Sequence, residues 1–218
     1  MLRLGFDASE GMLGHVLCLG AHSDDIEIGC SGSLLKLSEE GRLGRVTWVV
    51  FASDERRAGE ARRSAEAVLV GVREKEVVVR SLRDGFLPAK GAELKEYFEE
   101  LKTQVFPDAV LTHFRGDLHQ DHRLVSELTW NTFRDHLILE YEIPKYDGDF
   151  GSPNLFVPLD ETVVSQKIRN LLDTFESQRE KRWFSESLFR SVLRIRGMEC
   201  NAPSGLAEAF YCRKLVLG

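Results

Sequence analysis

The chain has 218 residues, 43% of them hydrophobic and 29% charged, with a formal net charge of −6. The balance is that of an ordinary globular protein, and the length predicts one domain over residues 1–218 with a substantial core. The acidic charge excludes a general nucleic-acid surface, which needs a basic field, and no stretch is long and apolar enough for a membrane span.

The opening residues, Met1-Leu2-Arg3-Leu4-Gly5-Phe6-Asp7, carry no long apolar run, so no signal peptide is expected. Residues 15–19 (HVLCL) read as a first buried strand. A helix is expected over 28–40, with Leu34, Leu35 and Leu37 apolar and Gly41 at its stop. Residues 46–52 (VTWVVFA) are continuously apolar, as in a strand covered on both faces. A helix over 58–70 ends at Gly71, a third strand begins at 77–79, and a helix over 93–104 is broken by Phe106-Pro107. A strand over 109–113, a helix over 121–133 and a strand over 137–143 follow. Residues 144–158 (PKYDGDFGSPNLFVP) are rich in turn formers and read as a long loop, a length often used for function. Helices over 161–175 and 179–195 and a strand over 209–217 complete the chain. The alternation predicts an α/β fold: a Rossmann-like, mostly parallel sheet with helices on both faces.

Two polar clusters follow inner strands. His22-Ser23-Asp24-Asp25 comes after the first, and His119-Gln120-Asp121-His122 after the fourth. In an open parallel sheet, chemistry gathers at such strand ends. A catalytic zinc site wants three protein ligands and one open position. His22 and Asp25, three apart at a strand-to-helix junction, can share one ion, and His122 can supply the third ligand. Asp24 is then spare, and a carboxylate beside activated water suits a general base. His119 can reach the same cavity to stabilise an oxyanion or protonate an amine. Asp121 is placed to orient or charge a histidine. His15, His113 and His136 lack such company and read as core or rim residues. Ser23 has no nucleophile-elbow pattern around it. Cys18, Cys30, Cys200 and Cys212 include no Cys-x-x-Cys pair and read as reduced thiols of a cytoplasmic protein, Cys30 as a buried structural thiol rather than a ligand.

These residues resemble the LmbE-like, or PIG-L, family of zinc-dependent N-acetylglucosamine deacetylases. Its Ala/Pro-His-Pro-Asp-Asp and later His-x-Asp-His motifs stand here as Ala21-His22-Ser23-Asp24-Asp25 and His119-Gln120-Asp121-His122. Arg196-Gly197-Met198-Glu199 and Ala207-Glu208-Ala209-Phe210 are similar to the family's C-terminal part. The resemblance implies a Rossmann-like fold and Zn²⁺, or another divalent metal, held by His22, Asp25 and His122. It implies Asp24 as base and His119 as the second catalytic group. It also aligns Arg57 with an arginine that contacts substrate. The implied reaction removes an N-acetyl group from an amino sugar or sugar conjugate, and the resemblance is compatible with a homo-oligomer. Ser23 departs from the usual proline, and Ile26 from the glutamate that often follows the aspartates, Glu27 coming one position later.

Rival readings exist. A two-metal phosphoesterase wants more carboxylates than the motifs supply. A dinucleotide-binding module wants Gly-x-Gly-x-x-Gly where Gly20 is followed by Ala-His-Ser-Asp-Asp, and a non-catalytic metal-binding relative would hold zinc without turnover. Arg62 and Arg63 read as solvated helix charges. Phe86 and Trp183 read equally as sugar-stacking or core aromatics.

Overall fold

The computed structural model describes residues 13–216. The opening residues and Leu217, the last position of the expected final strand, lie outside that range. Seven strands form one sheet: β1 (Leu13–Gly20), β2 (Leu43–Ala52), β3 (Glu74–Leu82), β4 (Ala109–His113), β5 (Leu137–Tyr141), β6 (Leu155–Pro158) and β7 (Ala207–Cys212). Their order is β3-β2-β1-β4-β5-β7-β6, and the first five run parallel. The helices are α1 (Asp25–Glu39), α2 (Glu55–Val68), α3 (Gly91–Gln104), α4 (Gln120–Thr132), α5 (Glu161–Thr174) and α6 (Glu186–Glu199).

The strand pleat explains the continuous apolar runs. Val16 and Cys18 of β1 enter one core with α1, α2, α5 and α6, while Leu17 and Leu19 enter the other with α3 and α4. β2 divides likewise, Trp48 and Val50 to one face and Val49 and Phe51 to the other. A strand covered on both faces buries successive residues, so its apolar run is not broken by a regular polar alternation. The chain steps outward from β1 to β3, then returns to lay β4 on the other side of β1. That reversal opens a crevice at the C-terminal ends of β1 and β4.

Several sequence expectations change, among them the last strand, expected over 209–217 and observed over Ala207–Cys212. The helix expected from residue 28 begins at Asp25, and Asp25 and Glu27 place negative charge in its first turn, where the helix dipole favours it. The helix expected over 179–195 begins only at Glu186, because Ser185 caps it by accepting from Leu188 N–H at 3.4 Å. Residues before it turn so that Phe184 enters the core. The loop expected over 144–158 ends in β6, which pairs antiparallel with β7. Pro158 is tolerated there because β6 is an edge strand.

Two contacts fix α1 against the sheet. Gly29 lies on the Tyr141 ring, so close that a Cβ at 29 would overlap the ring carbons. The Tyr141 hydroxyl reaches past β4 and donates to Leu19 O at 2.6 Å. Lower on α1, Gly32 N–H, Ser33 N–H and Ser33 Oγ donate to Glu208 of β7 at 2.6–2.8 Å. Lys167 of α5 donates to both Glu208 Oε1 and Ile28 O at 2.6 Å. This buried ion pair thereby joins α1, α5 and β7. Nearby, Arg196 of α6 pairs with Glu142 at 2.8 Å, and the Tyr211 hydroxyl donates to Glu142 at 2.7 Å.

Candidate metal centre

All five parallel strands deliver polar residues to their C-terminal edge. His22 and Asp25 follow β1, Arg57 follows β2, Asp84 follows β3, His113 to His122 end and follow β4, and Lys145 follows β5. The N-termini of α1 and α4 both lie here, where the peptide dipoles favour negative charge.

Three side chains close on one another. His22 Nδ1 lies 3.1 Å from His122 Nε2 and 3.3 Å from Asp25 Oδ2, while the other Asp25 oxygen, Oδ1, lies 3.5 Å from His122 Nε2. A tetrahedral ion with bonds of about 2.0–2.1 Å spaces its donors by about 3.3 Å, so each edge of this triangle of side chains is near that spacing, with Asp25 turning a different oxygen toward each histidine. Overlapping donor groups surround it: His22 with His119 and His122, Asp25 with His113 and His122, and His22 with Asp84 and Asp121.

The electrostatics also fit a cation. Burial alone would lower the His22 pKa, but Asp25, Asp121 and Asp84 outweigh it and hold the ring well above its usual value, so positive charge is favoured there and a metal ion would take the place of the His22 proton. Burial, then the neighbouring His113, pushes His122 down to about 4, leaving it neutral as a ligand must be. Its Nδ1 donates to Asp117 Oδ2 at 2.9 Å, which leaves Nε2 for the triangle. This is the carboxylate–histidine arrangement that orients metal ligands. Asp117 in turn receives Lys145 Nζ at 2.8 Å and His119 N–H at 2.8 Å.

The remaining sequence candidates fall around this triangle. Asp24 is the N-cap of α1, yet its side chain makes no capping bond. Burial, then Asp25, raises its carboxyl, while Arg57, His22 and Lys181 pull it back. Arg57 sits in the first turn of α2, aimed by the Asp54 cap, and spans Asp24 at 3.5 Å and Asp84 at 2.6 Å. Asp121 orients His22 directly, Oδ2 to Nε2 at 3.2 Å, and also accepts from Gly85 N–H and Leu87 N–H. Its backbone N–H donates to His119 Nδ1 at 3.2 Å, so a neutral His119 carries its proton on Nε2. Burial, then His22, holds the His119 pKa low. The half-exposed ring stacks on His122 at 4.5 Å.

Residues set aside in the sequence find other partners. Ser23 Oγ meets Ser53 Oγ at 3.0 Å, and Cys30 is buried with its thiol on Ile26 O. His15 meets Thr47 at 2.9 Å, and His136 packs edge-on to Phe133. None of the four cysteines is bridged. Ile26 is core, while Glu27 is fully buried, and that burial pushes its pKa well up. His113 is nearer the centre than a rim residue. Its Nε2 accepts from Ala21 N–H at 2.9 Å and lies 3.3 Å from Asp25, with its ring stacked on His122 at 4.0 Å. Asp84, Asp117 and Lys145 went unnoticed in the sequence. The only signals were Asp117 two residues before His119 and the Asp84-Gly85 turn after a strand.

A family model described as PIG-L, GlcNAc-PI de-N-acetylase, matches residues 17–133, which include both histidine motifs. A conserved protein of Thermus thermophilus shares the fold at TM-score 0.70 and 19% identity, covering 95% of this chain and 97% of that one. The N,N'-diacetylchitobiose deacetylase of Pyrococcus horikoshii matches at TM-score 0.65 and 21% identity, over 90% of this chain and 82% of that one. The 4-carboxy-2-hydroxymuconate hydratase of Pseudomonas putida matches at 0.71 and 16%, over 94% and 98%. At these identities the likeness concerns fold, and the hydratase shows that the fold carries more than one reaction.

Proposed function

We propose, since this chain belongs to the PIG-L (LmbE-like) family of de-N-acetylases, that it is a metal-dependent amidohydrolase removing the acetyl group from an N-acetylated amino sugar or its conjugate. The carrying observation is the spare carboxylate: Asp24 is buried beside the three-donor triangle and committed neither to the cap nor to the triangle. His22, Asp25 and His122 would hold the metal, zinc by donor chemistry. The bound ion supplies Lewis acidity and lowers the pKa of water.

The chain's own residues do the rest. Asp24 takes a proton from the attacking water, and Arg57 holds its carboxylate in place. His119 presents Nε2–H to the carbonyl oxygen as negative charge develops. The carbon–nitrogen bond then breaks, the proton held by Asp24 passes to the departing nitrogen, and acetate and free amine result. Asp121 and Asp117 keep His22 and His122 in register for this. Free thiols at all four cysteines fit a reducing compartment, which supports work in the cytoplasm.

The test is the zinc-loaded protein on a panel of N-acetylated sugars, sugar conjugates and phosphoesters, with amine, acetate and phosphate all measured. Amine and acetate in equal amounts are expected. Phosphate without new amine would overturn the reading.

A further inference from the structure

Beside the metal centre runs a groove of about 370 Å³ between the 144–150 loop and residues 182–188. Its walls are largely apolar, with Tyr146, Phe150, Trp183 and Leu188 facing it. Tyr146 is 81% and Phe150 45% exposed, an apolar surface left open to water. The charged groups on its lining, Lys145 and Arg182, are both cations, in a chain whose net charge is −6. Lys181 adds a third, 5.7 Å from the Trp183 ring centre. Lys145 is engaged with Asp117 and Asp149, whereas no hydrogen bond or ion pair engages Arg182 among the described residues.

The groove and the centre share a wall. Lys145 holds Asp117, and Asp117 holds His122. A substrate acetylated at the centre would extend its remaining part past Lys145 and into the groove.

We propose that this groove is the subsite for the substrate's aglycone, and that the aglycone is a flat apolar ring bearing a negative charge. The inference rests on the deacetylase reading for the reaction, and on its own residues for the ligand. Aromatic walls favour a ring laid against them, and Arg182, the unpaired cation on the lining, favours an anion. The lining argues against a second sugar. A sugar's hydroxyls want acceptors as well as donors, and apart from the Tyr146 hydroxyl the polar side chains of the lining can only donate. The volume suits one such group, being near the lower end of the roughly 300–1,000 Å³ of small-molecule sites.

The experiment is calorimetric titration of metal-loaded Asp24→Asn protein, which should not consume the ligand. The probes are N-acetylglucosamine, N,N'-diacetylchitobiose and the phenyl and 4-carboxyphenyl glycosides of N-acetylglucosamine. The 4-carboxyphenyl glycoside is expected to bind about tenfold tighter than the free sugar, and tighter than the phenyl glycoside. Added to that background, Tyr146→Ala and Arg182→Gln should each weaken it about threefold. Both side chains are exposed, so the fold is not at stake, and circular dichroism checks this. Aryl glycosides binding no tighter than the free sugar, or the disaccharide binding tightest, would overturn the proposal. Amine release by the unsubstituted protein reads the other question. Aryl preference without amine from any sugar keeps the subsite and removes the deacetylase. Amine release without aryl preference does the reverse.

Discussion

Two groups of buried charges sit on this sheet, and they are built on opposite terms. Around Glu208 and Glu142, each carboxylate meets its complement. Glu208 accepts from two backbone N–H groups, a serine hydroxyl and Lys167, while Glu142 accepts from Arg196, Tyr211 and Gly151 N–H. Around His22, carboxylates are in surplus. Asp25, Asp84 and Asp121 lie within 3.3 Å of one imidazole, and Arg57 and Lys145 are the permanent cations that pair nearby. A balanced buried cluster holds helices to strands. One with excess negative charge has the composition that a divalent cation completes.

The largest expected effect comes from removing chemistry from the second cluster without changing its shape. Asp24→Asn should keep the metal and slow turnover by about 10²–10⁴-fold, the usual scale for a general base. Metal content by plasma emission and amine release read the two separately. Near-normal turnover would reject Asp24 as base, and lost metal would make it a ligand.

The balanced cluster should answer in stability instead. Glu208→Ala leaves the buried Lys167 without its counter-charge and removes the carboxylate that Gly32 N–H and Ser33 N–H donate to, and a broken buried pair costs about 3–5 kcal/mol. Urea unfolding should show that loss with metal binding unchanged in the folded protein. A variant that unfolds normally but loses metal would erase the distinction between the clusters.

Asp117→Asn tests the link between them and the ligand shell. Metal affinity should fall about 10–100-fold, as when other carboxylates behind ligating histidines are changed. Competition with a chelator measures it, and unchanged affinity would separate Asp117 from the site. The smallest effect belongs to the exposed Arg190–Glu161 pair, where Arg190→Ala should cost less than about 1 kcal/mol. A larger loss there would mean that burial is not what distinguishes these charges.

Much of this was legible in the sequence because the site is local in sequence twice over. His22, Asp24 and Asp25 occupy one helix start, and His119, Asp121 and His122 another, each behind a strand whose apolar run marks it as inner. The second layer was not legible. Asp84, Asp117 and Lys145 are single polar residues on separate loops, and only the sheet brings them together. His113 was hidden by its place in a buried strand, where a core histidine looks the same. The β6 edge strand was masked by proline and glycine, because edge pairing tolerates residues that inner pairing rejects. The late start of α6 escaped because Ser185 acts as a cap only once Phe184 is committed to the core.

Gly29 gives the site its least forgiving position. It touches no ligand atom and carries no side chain, yet its contact with Tyr141 sets how deeply the first turn of α1 settles on the sheet. With a methyl group there, the ring, tethered by its own hydroxyl to Leu19, cannot retreat, and the helix must rise instead. Asp25 rides on that turn, four residues away. The alignment of a carboxylate with two imidazoles is thus machined by a missing carbon atom, and Gly29→Ala would detune the centre while leaving every reactive group in the chain.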